Sequence, residues 1–343
     1  MVRAFLLLPA LVSFTIGSSS PDEGCELTEA GKFLKHKLPE LQGMTASARA
    51  RGLANDATCP AACGWCNMIA ANDSVKVREN ISYGQAYNIE TGRNEVLYMD
   101  EYTVPETQPG VDRKPVMVVI HGGGYMKSSN KNSLWAPIVS RFFAMYGFHT
   151  VSIEYRRLGD YCAESLTNPK PGCPEVMFGN PVEDARAAIR FLQENQETLS
   201  IDTSTIGAFG CSAGGWTVTH LLMTNYGEGK SGNLENPPAV HAGVSLSGGF
   251  VEVMNPWRKT RYGSIAPYMA IYGTSDALCP SFMSTDAITL AESLGAETRL
   301  LAVPDGKHCP NVITPPSPDY AFDQVMGFLA KSLELCGERT LLP

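Results

Sequence analysis

From about Tyr83 onward, the apolar positions come in short, nearly unbroken runs separated by stretches of helical periodicity. Pro115-Val116-Met117-Val118-Val119-Ile120 is apolar throughout, as expected of a parallel strand covered on both faces. His149–Ile153, Thr205–Phe209, Ala242–Leu246, Met269–Tyr272 and Arg299–Val303 read the same way. Glu95–Val104 alternates instead, the pattern of a strand with one wetter face. Between these runs lie amphipathic stretches over Pro181–Gln196, Trp216–Tyr226, Ser284–Leu294 and Tyr320–Leu335. Pro181 fits the start of its helix, and Asp184 suits the positive end of that helix dipole. Strand and helix thus alternate along most of the chain, which predicts an α/β domain with a mainly parallel central sheet and helices on both faces. No internal repeat or heptad run interrupts the pattern.

The first residues carry a different pattern. Met1-Val2-Arg3 is a short positive start, Ala4 to Ile16 is apolar, Gly17-Ser18-Ser19-Ser20 is small, and Pro21 breaks any helix. That order predicts a secretory signal over residues 1–20. A membrane anchor is the alternative, but the run contains Pro9 and is shorter than the ~20 apolar residues that span a bilayer. Residues 21–70 then form a Cys-rich extension with Cys25, Cys59, Cys63 and Cys66, and residues 71–343 the main domain. Three Cys within Cys59–Cys66 would suggest zinc in a reducing compartment; after a secretory signal they predict disulfides. Asn72-Asp73-Ser74 and Asn80-Ile81-Ser82 are glycosylation acceptor triplets.

Composition narrows the function. Of 343 residues, 44% are apolar and 18% charged, which supports a large core and excludes global disorder. Lys and Arg total 27 against 35 Asp and Glu, a net charge of −8. That balance argues against a nucleic-acid or anionic-membrane binder, because both partners require a basic face. Ten Cys agree with an oxidising compartment.

Two glycine-rich segments carry chemistry. Gly210-Cys211-Ser212-Ala213-Gly214 follows a predicted strand and opens a predicted helix. A nucleophilic Ser needs such a sharp turn to expose its Oγ, and small neighbours let the backbone crowd there. His121-Gly122-Gly123-Gly124 ends the strand Val116–Ile120, at the carboxyl edge of the sheet where α/β sites form. Adjacent glycines let backbone N–H groups approach a ligand without Cβ obstruction, as a developing oxyanion requires.

Together these segments resemble the α/β-hydrolase fold, in the HGGG oxyanion-loop branch of carboxylesterases and hormone-sensitive-lipase-like enzymes. The resemblance covers roughly Tyr83 to Leu335, and a run of Cys-x-x-x-Cys-x-x-Cys at Cys59–Cys66 weakly resembles the end of ShK-type domains. It implies a serine carboxylic-ester hydrolase with no metal or organic cofactor and a small-molecule or polymer-linked ester as substrate. Gly123, Gly124 and Ala213 would supply the oxyanion hole, with His121 and Gly122 supporting the loop. In this fold the acid and the base follow the nucleophile in that order. Of the later histidines, His220 falls in the helix behind Ser212 and His241 leads into a strand, so His308 is the expected base. Asp276, in Gly273-Thr274-Ser275-Asp276, is similar to the family's acid turn and to that of feruloyl esterases; Asp305 competes, but its place in the His308 loop favours a capping role. Asp184 is read as structural.

Neighbouring cysteines suggest a Cys279–Cys309 bridge between the acid and base loops, a Cys162–Cys173 bridge across a Pro- and Gly-rich excursion, and a buried, unreactive thiol at Cys211. Tyr125, Trp135, Tyr155, Trp216 and Trp257 are candidates for an acyl pocket, although aromatic residues serve cores more often. Two alternatives stay open: a silent binding protein on a hydrolase scaffold, and an amide or peptide hydrolase of the same fold.

Overall fold

A computed structural model describes residues 63–89, 91–133, 135–157, 173–224, 229–235, 237–249, 265–312 and 321–336. The signal segment 1–20, most of the extension, Cys25, Cys59, Cys162 and Trp257 lie outside the described residues, so the Cys162–Cys173 pairing does too.

Eight strands form one sheet: β1 Lys76–Asn88, β2 Arg93–Thr103, β3 Lys114–Ile120, β4 His149–Ile153, β5 Ile201–Cys211, β6 Ala242–Leu246, β7 Tyr268–Gly273 and β8 Thr298–Val303. Their order is β1-β2-β4-β3-β5-β6-β7-β8. The β1–β2 and β2–β4 pairs are antiparallel, and every other neighbouring pair is parallel. The longer helices among the described residues pack on it: α1 Trp135–Met145, α2 Cys173–Glu194, α3 Ala213–Met223, α4 Ser281–Ser293 and α5 Ala321–Ser332.

The near-continuous apolar run of β3 has the predicted cause. Val116, Val118 and Ile120 enter one core cluster with residues of α2, α3 and α4, while Met117 and Val119 enter another with residues of α1 and α5. Both faces of the strand are therefore dry, and the alternation that marks a half-wet strand is absent.

Three elements depart from the sequence reading. The edge strand β1 escapes it because most of its positions are polar and its register shifts twice, between Arg78 and Ile81 and between Ser82 and Gly84. At the first bulge the exposed acceptor Asn80 adopts φ +56°. Helix α1 is a further element that the sequence pattern does not predict. Helix α2 starts at Cys173, so Pro181 lies in its interior rather than at its start. A proline there forfeits one backbone hydrogen bond, and tertiary packing of the preceding turn compensates. Phe178 lies in the core, its ring 5.7 Å from Trp216 and 5.8 Å from Tyr125. Asp184 consequently sits in mid-helix rather than at the dipole's positive end. It is fully buried and accepts hydrogen bonds from Arg156 Nη2 at 2.8 Å and Ser231 Oγ at 2.6 Å.

Residues 63–70 belong to the packed body. Trp65 is buried against Phe148, with ring centroids 5.3 Å apart, and Ile69 N–H donates to Met145 O at 2.8 Å. Cys63 is bridged to Cys336, just beyond α5, with Cα atoms 5.4 Å apart. The partner of Cys63 is thus 273 residues away, at the other end of the domain, and not another cysteine of residues 21–70. Among the described residues no helix is long and apolar enough to cross a membrane.

Candidate active site

Ser212 stands between β5 and α3 with φ +55° and ψ −123°, a backbone conformation that non-glycine residues rarely adopt. The flanking glycines show why the turn needs them. A Cβ on Gly210 would stand 2.3 Å from the Gly214 carbonyl, and one on Gly214 would stand 1.9 Å from Ile120 O. The crowding that holds the turn open to Ser212 is thus written into both glycines.

His308 Nε2 lies 2.9 Å from Ser212 Oγ, and its Nδ1 lies 3.0 and 3.2 Å from the two carboxylate oxygens of Asp276. Asp276 Oδ1 also accepts from Leu278 N–H at 2.9 Å and Cys279 N–H at 2.8 Å, which fixes the carboxylate. Asp305 takes no part in this chain of contacts. It has φ +55°, and its N–H donates to Thr274 Oγ1 at 2.8 Å, bracing the His308 loop against the acid turn. Gly273 is required at that junction, because a Cβ there would meet Gly306 O at 2.2 Å. His220 is buried beside Phe178 and Trp216, and His241 Nδ1 accepts from Ile206 N–H at 3.1 Å; neither reaches Ser212.

Burial disfavours the charged form of His308, yet hydrogen bonds to Asp276 and to Cys279 outweigh it and raise the imidazole from 6.5 to about 9. Burial likewise opposes ionisation of Asp276, but its bonds from His308 and Cys279 hold the carboxyl below its usual range.

The loop after β3 runs alongside the nucleophile. A Cβ on Gly122 would stand 2.7 Å from Cys211 O and 3.2 Å from Ser212 Cβ. Gly123 has φ +106° and Gly124 φ +62°, and a Cβ on Gly123 would overlap Ser129 Cβ at 2.2 Å. Tyr125, at φ +64°, donates from its hydroxyl to Ala213 O at 2.8 Å and so ties this loop to the first turn of α3. Tyr155 donates from its hydroxyl to His121 O at 2.9 Å. Tyr125, Tyr155 and Trp216 all belong to the buried core, and Trp135 packs on Phe209 with centroids 6.0 Å apart. Tyr125, Tyr155 and Trp216 thus serve the core on one face of the sheet and Trp135 the core on the other.

The expected Cys279–Cys309 bridge does not form. Cys309 is joined to Cys211, with Cα atoms 6.1 Å apart, and Cys279 is a buried free thiol. Cys211 is accordingly not the unreactive thiol expected from its buried turn. The sheet decides the pairing: Cys211 and Cys309 pack with the core on the α1 and α5 side, whereas Cys279 packs with the core on the opposite side. The contact between Ser212 and His308 brings the residue before one beside the residue after the other. Ser247 is a further site residue that the sequence does not signal. With φ +46° after β6, it accepts from Cys309 N–H at 3.0 Å through Oγ and also hydrogen-bonds Asp276. Among the described residues no group of three or more His, Cys, Asp or Glu side chains is placed to hold a metal ion.

Residues 99–242 match the BD-FAE family model, a feruloyl-esterase-like α/β-hydrolase family. A truncated carbohydrate esterase from gut microbiota superposes with a TM-score of 0.57 at 19% identity, over 78% of this chain and 100% of that one. The thermophilic esterase Est2 of Thermogutta terrifontis gives 0.56 at 18% identity, over 78% of this chain and 94% of its own; its form phosphorylated by paraoxon gives 0.53 at 19%, over 77% and 95%. Among curated proteins, the non-reducing polyketide synthase Preu6 of Preussia isomera is 28% identical over 164 residues, 46% of this chain and 6% of the synthase. Acylamino-acid-releasing enzyme 2 of Oryza sativa subsp. japonica is 29% identical over 109 residues, 32% of this chain and 13% of that enzyme. The chain therefore spans only a small fraction of these curated relatives. Its fold is the α/β-hydrolase fold.

Proposed function

We propose that the protein is a secreted serine esterase that cleaves carboxylic esters through an acyl-enzyme on Ser212. The observation that carries this reading is the continuous chain Ser212 Oγ, His308 Nε2, His308 Nδ1 and Asp276, with links of 2.9 and 3.0 Å, beside the His121–Gly124 loop. In the acylation step His308 takes the Ser212 proton as Oγ attacks the ester carbonyl, and then gives it to the departing alcohol. Asp276 holds the imidazole in the required tautomer and stabilises the imidazolium. The N–H groups of Gly123, Gly124 and Ala213 receive the oxyanion. Ala213 opens α3, where backbone N–H groups have no partner within the helix and the dipole favours negative charge. Water, activated by His308, then hydrolyses the acyl-enzyme. The two disulfides among the described residues agree with folding in an oxidising compartment.

The test is hydrolysis of p-nitrophenyl esters of increasing acyl length alongside matched anilides. Turnover of the short acyl esters, with anilides at least a hundredfold slower, is the expected result; anilide turnover matching the esters would replace the esterase reading with amide hydrolysis. Paraoxon, which phosphorylates the Thermogutta esterase, should block turnover and add its phosphoryl mass to the peptide containing Ser212. Absence of any hydrolysis or labelling would leave a silent binding scaffold.

The raised imidazole sets a pH dependence. His308 acts as a base only when neutral, so the acid limb of kcat/KM should be displaced above the ordinary histidine value of 6.5, toward about 9. The stability contribution has the opposite sense. It is fully present below about pH 6.5, where the unfolded ring is also charged, and is lost as pH rises through about 9. A pH–rate profile with its acid limb below 6 would contradict the Asp276 contact as its cause.

A further inference from the structure

Glu154, the residue that follows β4, holds both ends of the glycine-rich loop. Its Oε1 lies 3.3 Å from His121 Nε2, and its Oε2 accepts from Lys131 N–H at 3.2 Å. One carboxylate thus grips the first residue of the 121–131 segment and its last. The Lys131 end is held a second time, by a buried ion pair of 2.8 Å between Lys131 Nζ and Asp100 Oδ2. Glu154 is itself seated in the sheet margin, where its N–H donates to Tyr98 O at 2.8 Å.

The contacts of His121 fix more than its position. Its Nδ1 lies 2.8 Å from the carbonyl oxygen of Gly122, an atom that can only accept. Its Nε2 faces the Glu154 carboxylate, which when ionised also only accepts. A neutral imidazole has one N–H and can serve one of these partners; serving both requires a proton on each nitrogen. The ring is fully buried and lies flat on Tyr155, with centroids 4.1 Å apart and planes 12° from parallel. A charged ring in such a place needs a paired counter-charge, and Glu154 is that charge. Arg157 adds a second cation beside the carboxylate, its Nε 3.4 Å from Oε1. Burial opposes ionisation of Glu154, but the His121 and Arg157 contacts hold its carboxyl below the usual range.

The consequence lies in one peptide plane. The Gly122 C=O and the Gly123 N–H belong to the same planar trans peptide and point in opposite directions. A donor that pins the Gly122 oxygen therefore also sets where the Gly123 N–H points. We infer that Glu154 is a positioning residue: it keeps His121 as an imidazolium, and that ring, through Gly122 O, aims the Gly123 N–H into the oxyanion site. This rests on Ser212 being the nucleophile, and the experiment separates the two claims.

In Glu154→Gln the side chain keeps its shape and an acceptor for Lys131 N–H but loses the charge. With a p-nitrophenyl ester, kcat should fall about tenfold while KM stays within twofold, because the lost interaction acts in the transition state. A trifluoromethyl ketone, which forms a tetrahedral adduct on the serine, should lose affinity by a similar factor. Nitrogen NMR of histidine-labelled protein near neutral pH, with His121 assigned by its loss in His121→Asn, should show two protonated ring nitrogens in the wild type and one in Glu154→Gln. A neutral His121 in the wild type overturns the inference. So does a Glu154→Gln enzyme with unchanged kcat and only a lower melting temperature. If hydrolysis proves independent of Ser212, the functional reading fails, while the NMR result still decides whether the buried ion pair exists.

Discussion

Replacing Ser212 with alanine should lower kcat for short p-nitrophenyl esters by on the order of 10⁴–10⁶-fold, with little change in melting temperature. The substitution removes one oxygen, the atom 2.9 Å from His308 Nε2, and leaves the backbone of the turn in place. That turn is held by crowding at Gly210 and Gly214 and by the Ser212 N–H donating to Leu246 O at 2.9 Å, none of which involves Oγ. Stability and activity should therefore separate cleanly. His308→Ala should cost a comparable factor, and the double variant should cost little more than either single one, because residues that act as one unit are not additive. Some rate above the uncatalysed reaction should survive in all three, since the loop N–H groups still receive the oxyanion. Paraoxon should no longer add mass to the Ser212 peptide. Full hydrolysis by Ser212→Ala would remove the nucleophile assignment and the mechanism built on it.

What the sequence made legible follows from how local each signal is. The need for glycine at 210 arises from the Gly214 carbonyl within the turn itself, so the nucleophile turn is visible in a short window, whereas glycine at 214 is required by Ile120 O of the neighbouring strand β3. The same holds for β3, whose unbroken apolar run reports that both of its faces are covered. His308 and Asp276 were legible through chain order, which the fold imposes. The edge strand β1 was not, because an edge exposed to water has no need of apolar alternation and its two bulges shift the register. The start of α2 was masked by Pro181, which suits a helix start; the burial of Phe178 carries the helix back past it. Glu154 was invisible for a different reason: nothing along the chain links positions 121, 131 and 154 until β3 and β4 pair. The cysteine pairing failed on the same kind of information. Adjacency to the acid and the base was legible, but the side of the sheet each sulfur faces was not.

That pairing leads to the second large effect. Replacing both Cys211 and Cys309 with alanine should lower kcat by up to about 10²-fold, the cost of displacing a catalytic group by about 1 Å. Replacing Cys63 and Cys336 should instead lower stability and leave kcat unchanged. The bridges differ in what they fix. Cys63–Cys336 joins the first described residue to the segment after α5, closes a span of 273 residues and lies among core aromatics, so its main effect is to restrict the unfolded chain, by roughly 3–5 kcal/mol. Cys211–Cys309 spans 98 residues and joins the residue before Ser212 to the residue after His308. The His308 loop has few other holds: Ser275 N–H on Gly306 O at 2.8 Å, Asp305 N–H on Thr274 Oγ1 at 2.8 Å, and Cys309 N–H on Ser247 Oγ at 3.0 Å. Cys309 also sits at φ +49°, a conformation that a non-glycine residue keeps only where its surroundings enforce it. Without the bridge, the distance from His308 Nε2 to Ser212 Oγ rests on these backbone holds and on the His308–Asp276 contact. Cys211 is fully buried, so a mild reductant acting on the folded enzyme should inactivate it slowly, and substrate-like inhibitors that hold His308 against Ser212 should slow it further. If the two double-alanine variants lose stability equally and neither loses kcat, the bridge beside the site has no positioning role and serves the fold alone.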